Sequence, residues 1–159
     1  MYIYVFSDTH GNTSTMEEAV ESAVPAPALV VHLGDGADEA DALMRYRPDI
    51  AFLGVRGNCD RRSADVPDTR FVEVGGVKIM LTHGHLFGVK SSRVTLACAA
   101  VREGAALVLY GHTHVRRDES ENIDGTAVRT VCPGSSGMNG EYAVVSVEDG
   151  KIEDVTFFS

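Results

Sequence analysis

The 159 residues, 17.0 kDa in mass, are enough for one domain with a sizeable buried core. Hydrophobic residues make up 44% and charged residues 23%, the balance of a globular chain. Lys and Arg number 14 against 23 Asp and Glu, for a formal charge of −9 and a pI near 5.0; this argues against a partner such as extended nucleic acid, whose binders carry a basic footprint.

The elements follow in chain order. Tyr2–Phe6 is an apolar, β-rich run bounded by Ser7-Asp8. It lacks the basic region and small-residue cleavage site of a signal peptide. Thr13–Val24 has a helical period, with Glu17, Glu18 and Glu21 on a solvated face beside Met16, Ala19, Val20 and Ala23; Pro25 and Pro27 stop it. Ala28–Leu33 reads as a buried strand, Asp38–Tyr46 as a short helix and Ile50–Val55 as a third strand. Arg70–Val74 and Val77–Thr82 flank Gly75-Gly76, a hairpin signal. Ser91–Arg102 is a helix with Val94, Leu96, Ala97 and Val101 as its apolar set, and Gly104 suits its left-handed stop. Ala106–Tyr110 is another short buried strand. Two hairpins finish the chain, Val115–Glu121 with Thr126–Cys132 and Tyr142–Val147 with Lys151–Phe157. Alternating strands and helices followed by a strand-rich third predict a mixed sheet, or two stacked sheets with helices outside.

No apolar run reaches the roughly 20 residues of a transmembrane helix, so no membrane partner is expected. Cys59, Cys98 and Cys132 are odd in number, far apart and without a CxxC pair. That disfavours a disulfide framework and a thiolate zinc site, and predicts a reducing cytoplasmic location.

The polar chemistry follows the strands. The first runs into Asp8-Thr9-His10, the second into Gly34-Asp35 and the third into Gly57-Asn58. Val77–Thr82 runs into His83-Gly84-His85, and Ala106–Tyr110 into Gly111-His112-Thr113-His114. Ligands of open α/β sheets bind at that carboxyl end. The pool is Asp8, His10, Asp35, Asn58, His83, His112 and His114. One four-coordinate metal cannot use seven ligands; two metals sharing one carboxylate can. Nitrogen and oxygen ligands without thiolate suit Mn, Fe, Co, Ni or Zn.

Ser7-Asp8-Thr9-His10-Gly11-Asn12, Gly34-Asp35, Gly57-Asn58-Cys59-Asp60, Thr82-His83-Gly84-His85 and Gly111-His112-Thr113-His114 resemble, in order, the motif set of the calcineurin-like metallophosphoesterases. They are most similar to the small YfcE-type phosphodiesterase branch. The likeness spans about residues 3–147 of what is expected to be a single domain, 1–159. It implies an α/β (α+β) fold, a four-layer αββα sandwich of two mixed sheets flanked by helices. It further implies one metal on Asp8, His10 and His114, a second on Asn58, His83 and His112, and Asp35 as the bridge. The implied cofactors are two divalent transition-metal ions, manganese first and Ni, Fe, Co or Zn as alternatives. The implied activity is hydrolysis of a small phosphodiester by in-line attack of a metal-bridging hydroxide. Asn58 is also a candidate donor to a phosphate oxygen.

Two departures qualify the carry-over. The wider superfamily has His after Gly-Asn, placed to protonate the leaving alkoxide; here Cys59 stands there, a poorer proton shuttle. His85 is then the candidate for substrate contact or for part of the acid's role, with a structural role as the alternative. Cys132-Pro133-Gly134-Ser135 is followed by Met138-Asn139-Gly140, where the family commonly carries Pro-Arg.

Blander readings stand beside these. Asp35 also suits the cap of the following helix, and Asn58 a left-handed turn. His32 reads as a core or supporting residue and Cys98 as core. Arg61 and Arg62 either steer a phosphate or belong to a solvated loop. Cys59 as nucleophile lacks an activating base pattern. The rival readings are a phosphomonoesterase and a non-catalytic metal-binding interaction scaffold, since a retromer subunit is related in fold. An apolar edge in the C-terminal hairpins leaves homo-oligomerisation open.

Overall fold

A computed structural model of the chain describes residues 1–61 and 65–159. Ten strands form two five-stranded sheets among the described residues. The first sheet orders β10 (Lys151–Phe158), β9 (Tyr142–Glu148), β1 (Tyr2–Phe6), β2 (Leu29–His32) and β3 (Phe52–Gly54). The second orders β4 (Thr69–Val74), β5 (Val77–Thr82), β6 (Leu107–Tyr110), β8 (Thr126–Cys132) and β7 (Arg117–Ile123). Within them β1-β2-β3 and β5-β6-β8 are parallel, and the flanking strands are antiparallel. Two mixed sheets stacked face to face are the architecture that the motif resemblance implied.

Period-two alternation builds the layers. Ile3 and Val5 of β1 point between the sheets with Leu29, Val31, Ile79, Leu81, Leu107 and Leu109. Tyr4 and Phe6 point outward, against Met16, Ala19 and Val20 of α1 (Ser14–Glu21) and Ala40 and Met44 of α2 (Ala37–Met44). Met80, Val108 and Tyr110 of the second sheet meet Leu96 and Ala100 of α3 (Val94–Arg102) on the other outer face. Helix, sheet, sheet and helix therefore share one packing scheme, and both faces of the parallel strands are dry. That explains why β1, β2 and β6 read as unbroken apolar runs.

Several expectations shift in detail. The first helix ends at Glu21, short of Val24, and α2 spans Ala37–Met44. Within α3 the buried set is Leu96, Ala97 and Ala100; Val94, the first helical residue, is half exposed. Gly104 takes the left-handed conformation anticipated for it, at φ +70°. Cys132 is buried and Cys98 half-buried. A 3-10 turn, His85–Phe87, and a one-turn helix, α4 (Ser136–Asn139), are too short to show a period in the sequence. No helix is long and apolar enough to cross a membrane among the described residues. The outer strand β10 exposes Lys151, Glu153 and Asp154 along its length.

Candidate metal centre

The parallel strands of both sheets deliver their carboxyl ends to one rim of the sandwich. Phe6 pairs with His32, His32 with Gly54, and Thr82 with Tyr110, so the turns after all five strands start at one level. The described site residues converge there. Asp8, His10 and His114 each place one ligand atom within 4.8 Å of the others, and so do Asp35, His83 and His112. The Asn58 Oδ1 lies 3.1 Å from the Nε2 of His83.

Five of the seven candidate ligands, Asp8, His10, Asp35, His112 and His114, have φ between 47° and 69°. Non-glycine residues enter this region uncommonly, Asp and His more readily than most, and residues held there cluster at functional sites. Here the imposing groups are backbone. The Asp8 amide donates to the Gly34 carbonyl and the His10 amide to the Asp35 carbonyl, each at 3.0 Å. The β1 turn and the β2 turn thus hold each other.

Both carboxylates are oriented in the same manner, with one oxygen pinned and the other aimed inward. Asp8 is fully buried. Its Oδ2 accepts from the Ser7 hydroxyl at 2.5 Å and the His112 amide at 3.0 Å. Its Oδ1 has no hydrogen bond, yet faces the Nε2 of His114 at 3.0 Å and those of His10 and His83 at 3.9 Å. Asp35 gives Oδ1 to the Cys59 amide at 2.8 Å. Its Oδ2 stands between His83 (3.4 Å) and His10 (3.9 Å) and so faces both groups. On the imidazole side, His83 is fixed by its Nδ1–H donating to the Leu33 carbonyl at 2.7 Å, which turns Nε2 to the centre. A buried, unbonded carboxylate oxygen among imidazole nitrogens is costly without a partner. A divalent cation is the partner this donor set fits.

Electrostatics point the same way. Burial alone would push the Asp35 carboxyl up, but the His83 hydrogen bond and the Cys59 amide outweigh it and hold it below the ordinary range. Burial opposes charge on His83, and the hydrogen bond to Asp35 with the charges of Asp8 and Asp35 overcomes it. Burial, then the charges of His83 and Lys90, push His112 down to about 4. His85 is lowered by burial and then by His83. It sits beside the ligands, its ring 5.4 Å from that of His83 and 6.2 Å from that of His112.

Cys59 is exposed, accepts from the Asn58 amide at 3.2 Å, and forms a third possible ligand group with His10 and Asp35. The Asp35 hydrogen bond, with burial and nearby carboxylates, pushes its thiol up, which is the opposite of an activated nucleophile. Arg61 is exposed at the rim; Arg62 lies outside the described residues.

The supporting residues act through partners distant in sequence. His32 is completely buried; its Nδ1 accepts from the Gly34 amide at 3.2 Å, so its Nε2–H donates to the Thr9 hydroxyl at 3.1 Å. The turn after β8 props the β1 turn: Ser135 donates its hydroxyl to the Asp8 carbonyl at 2.9 Å, and the Ser136 amide donates to the Ser7 carbonyl at 2.9 Å. Asp35 does not cap α2; the Asp60 carboxylate accepts from the Gly36 and Ala37 amides instead.

Residues 1–150 match the family described as the calcineurin-like phosphoesterase superfamily domain, and the chain belongs to that family. It is 29% identical over 154 residues to "Probable metallophosphoesterase YsnB" of Bacillus subtilis (strain 168), covering 94% of this chain and 86% of that protein. A crystal structure from Streptococcus pneumoniae TIGR4, described as a conserved uncharacterized protein and predicted phosphoesterase, superposes with a TM-score of 0.79 at 30% identity. The match covers 99% of this chain and 88% of that one. A structure described as a novel archaeal phosphodiesterase shares the fold, with a TM-score of 0.72 at 22% identity over 99% of this chain and 100% of the other. Family and relatives support phosphoester hydrolysis with divalent metal ions.

Proposed function

We propose that this protein is a phosphodiesterase that hydrolyses small phosphodiesters with two divalent cations, manganese first, in the cytoplasm. One observation carries the reading: the inward oxygen of Asp35 stands between His10 and His83, and so between the two ligand groups. Asp8, His10 and His114 would hold one cation, and Asn58, His83 and His112 the other, with Asp35 shared. Such a pair supplies Lewis acidity and lowers the pKa of water when bound.

The chain's own residues do the rest. Ser7, the His112 amide and the Cys59 amide keep the two carboxylates aimed. Asn58 is exposed at the mouth, and its amide is placed to donate to a phosphoryl oxygen. His85 offers a neutral ring N–H to the substrate or the leaving alcohol. Two arginines near the mouth favour a diester. Arg56 is paired with Asp68 and Arg116 with Glu141, so neither is free for the second charge of a monoester. Cys59 supports the same choice, since it replaces the histidine that would protonate an alkoxide in the wider superfamily.

The test is turnover of an aryl phosphodiester and the matching monoester with added Mn²⁺. Diester turnover should exceed monoester turnover, vanish on chelation and return with Mn²⁺. Turnover equal to that of the Asp8→Ala/Asp35→Ala variant would sink the catalytic reading; monoester preference would sink the diester.

A further inference from the structure

Asp60 belongs to none of the ligand groups, yet its carboxylate accepts four backbone hydrogen bonds. Oδ2 takes the amides of Asp35 and Gly57, both at 2.8 Å; Oδ1 takes those of Gly36 at 2.7 Å and Ala37 at 3.1 Å. Three of these donors belong to the start of α2 and one to the turn after β3. The first amides of a helix have no partners within it and favour an anion. Asp35, next to Gly36, is the nearest carboxylate in sequence for that task. Asp60 performs it from another segment, which leaves the Asp35 side chain free to face His10 and His83.

The same contact sets Asn58. The two turns meet so closely that a Cβ on Gly57 would lie 2.1 Å from the Asp35 Oδ1 and 2.3 Å from its backbone nitrogen. The Cys59 amide returns to that Oδ1 at 2.8 Å. Asp35 and Asn58 therefore cannot shift independently while Asp60 holds these bonds.

We propose that Asp60 is the positioning residue of the Asp35, Asn58, His83 and His112 half of the centre. By occupying the start of α2 it presents Asp35 to the cations and fixes Asn58 opposite His83. This rests on the two-cation reading above.

Metal-free wild type, Asp60→Asn and Asp60→Glu are titrated calorimetrically with Mn²⁺, with electron paramagnetic resonance of the loaded proteins. Asparagine keeps the shape but turns an N–H₂ toward amide donors. The wild type should bind two ions and show a spin-coupled pair. In Asp60→Asn one binding event should weaken tenfold to a hundredfold, as when other supporting partners are lost. The other keeps Asp8, His10 and His114 and shares only Asp35, so it should weaken less, and the coupled spectrum should give way to that of single ions. Asp60→Glu should recover part of the lost affinity. Equal weakening of both events, or none, would overturn the assignment. If Asp60→Asn does not fold, Asp60→Glu carries the comparison. Failure of both to fold would make Asp60 a structural cap alone and overturn the positioning role. A wild type that binds no Mn²⁺ would instead overturn the cation reading.

Discussion

The two ends of the sandwich use the same backbone region in opposite ways. At the end away from the histidines, Gly75-Gly76, Asp124-Gly125 and Asp149-Gly150 turn their hairpins with positive φ. Glycine and a solvated Asp are the residues that tolerate this conformation locally. At the other end Asp8, His10, Asp35, His112 and His114 occupy it, although imidazole gains nothing there by itself. They are held by hydrogen bonds from other turns. The hairpin end is thus specified by local chemistry and the ligand end by neighbours distant in sequence.

Substitutions at the two ends should separate accordingly. The largest effect is expected from Asp35→Ala. Loss of the shared carboxylate should lower kcat/KM for an aryl phosphodiester on the order of 10³-fold or more, measured with saturating Mn²⁺. A hairpin change such as Asp149→Ala should leave that value within about twofold; a comparable loss there would break the comparison.

A smaller effect concerns His32, which bonds two ligand-bearing turns in its neutral form. Burial depresses its folded pKa from 6.5 to about 4. Between those values the unfolded chain binds a proton that the native state refuses, so the stability present above pH 6.5 falls with pH. The loss should approach about 3 kcal/mol by pH 4. Urea midpoints of the metal-free protein across this window, wild type minus His32→Gln, isolate the contribution; parallel curves would show that His32 does not titrate in this way.

Glycines give the next contrast. Gly57→Ala must displace backbone and the Asp35 carboxylate, and should cost about 2–3 kcal/mol. Gly150→Ala meets nothing closer than 3.7 Å. Its cost is the left-handed conformation alone, about 1 kcal/mol. Thermal or urea unfolding measures both, and a reversed order would contradict the close approach of the two ligand turns. Cys59→Ser should have the smallest effect, within about threefold in turnover. A hydroxyl keeps the protonated donor toward Asp35. A loss beyond about a hundredfold would restore Cys59 to the chemistry.

Much of the ligand end was legible before any coordinates. Each buried run ends in Asp, Asn or His beside glycine, because a parallel strand that stops at a site must turn sharply there. All seven candidate ligands converge in the fold. The partners of the supports were not legible. Asp60 stands in the sequence only as the last residue of the Gly57-Asn58-Cys59-Asp60 motif, His32 reads as a core or supporting residue, and Ser135–Gly137 carry no period. Their roles consist of bonds to backbone amides and carbonyls of other turns, and side-chain identity does not encode such partners. The alternative reading of Asp35 as the cap of its own helix followed local rules; a carboxylate from another segment holds that place.

The amino-acid sequence by itself determined the kinds of ligand, their order along the chain and the strand ends that carry them. These depend on residue type and period-two burial, which are local. Only the tertiary structure decided which oxygen of each carboxylate faces inward, how closely the members of each ligand group approach, and that the carboxylate of Asp60, not that of Asp35, meets the start of α2. Those outcomes depend on the register of strands far apart in sequence, and the register is set by the whole packed sandwich.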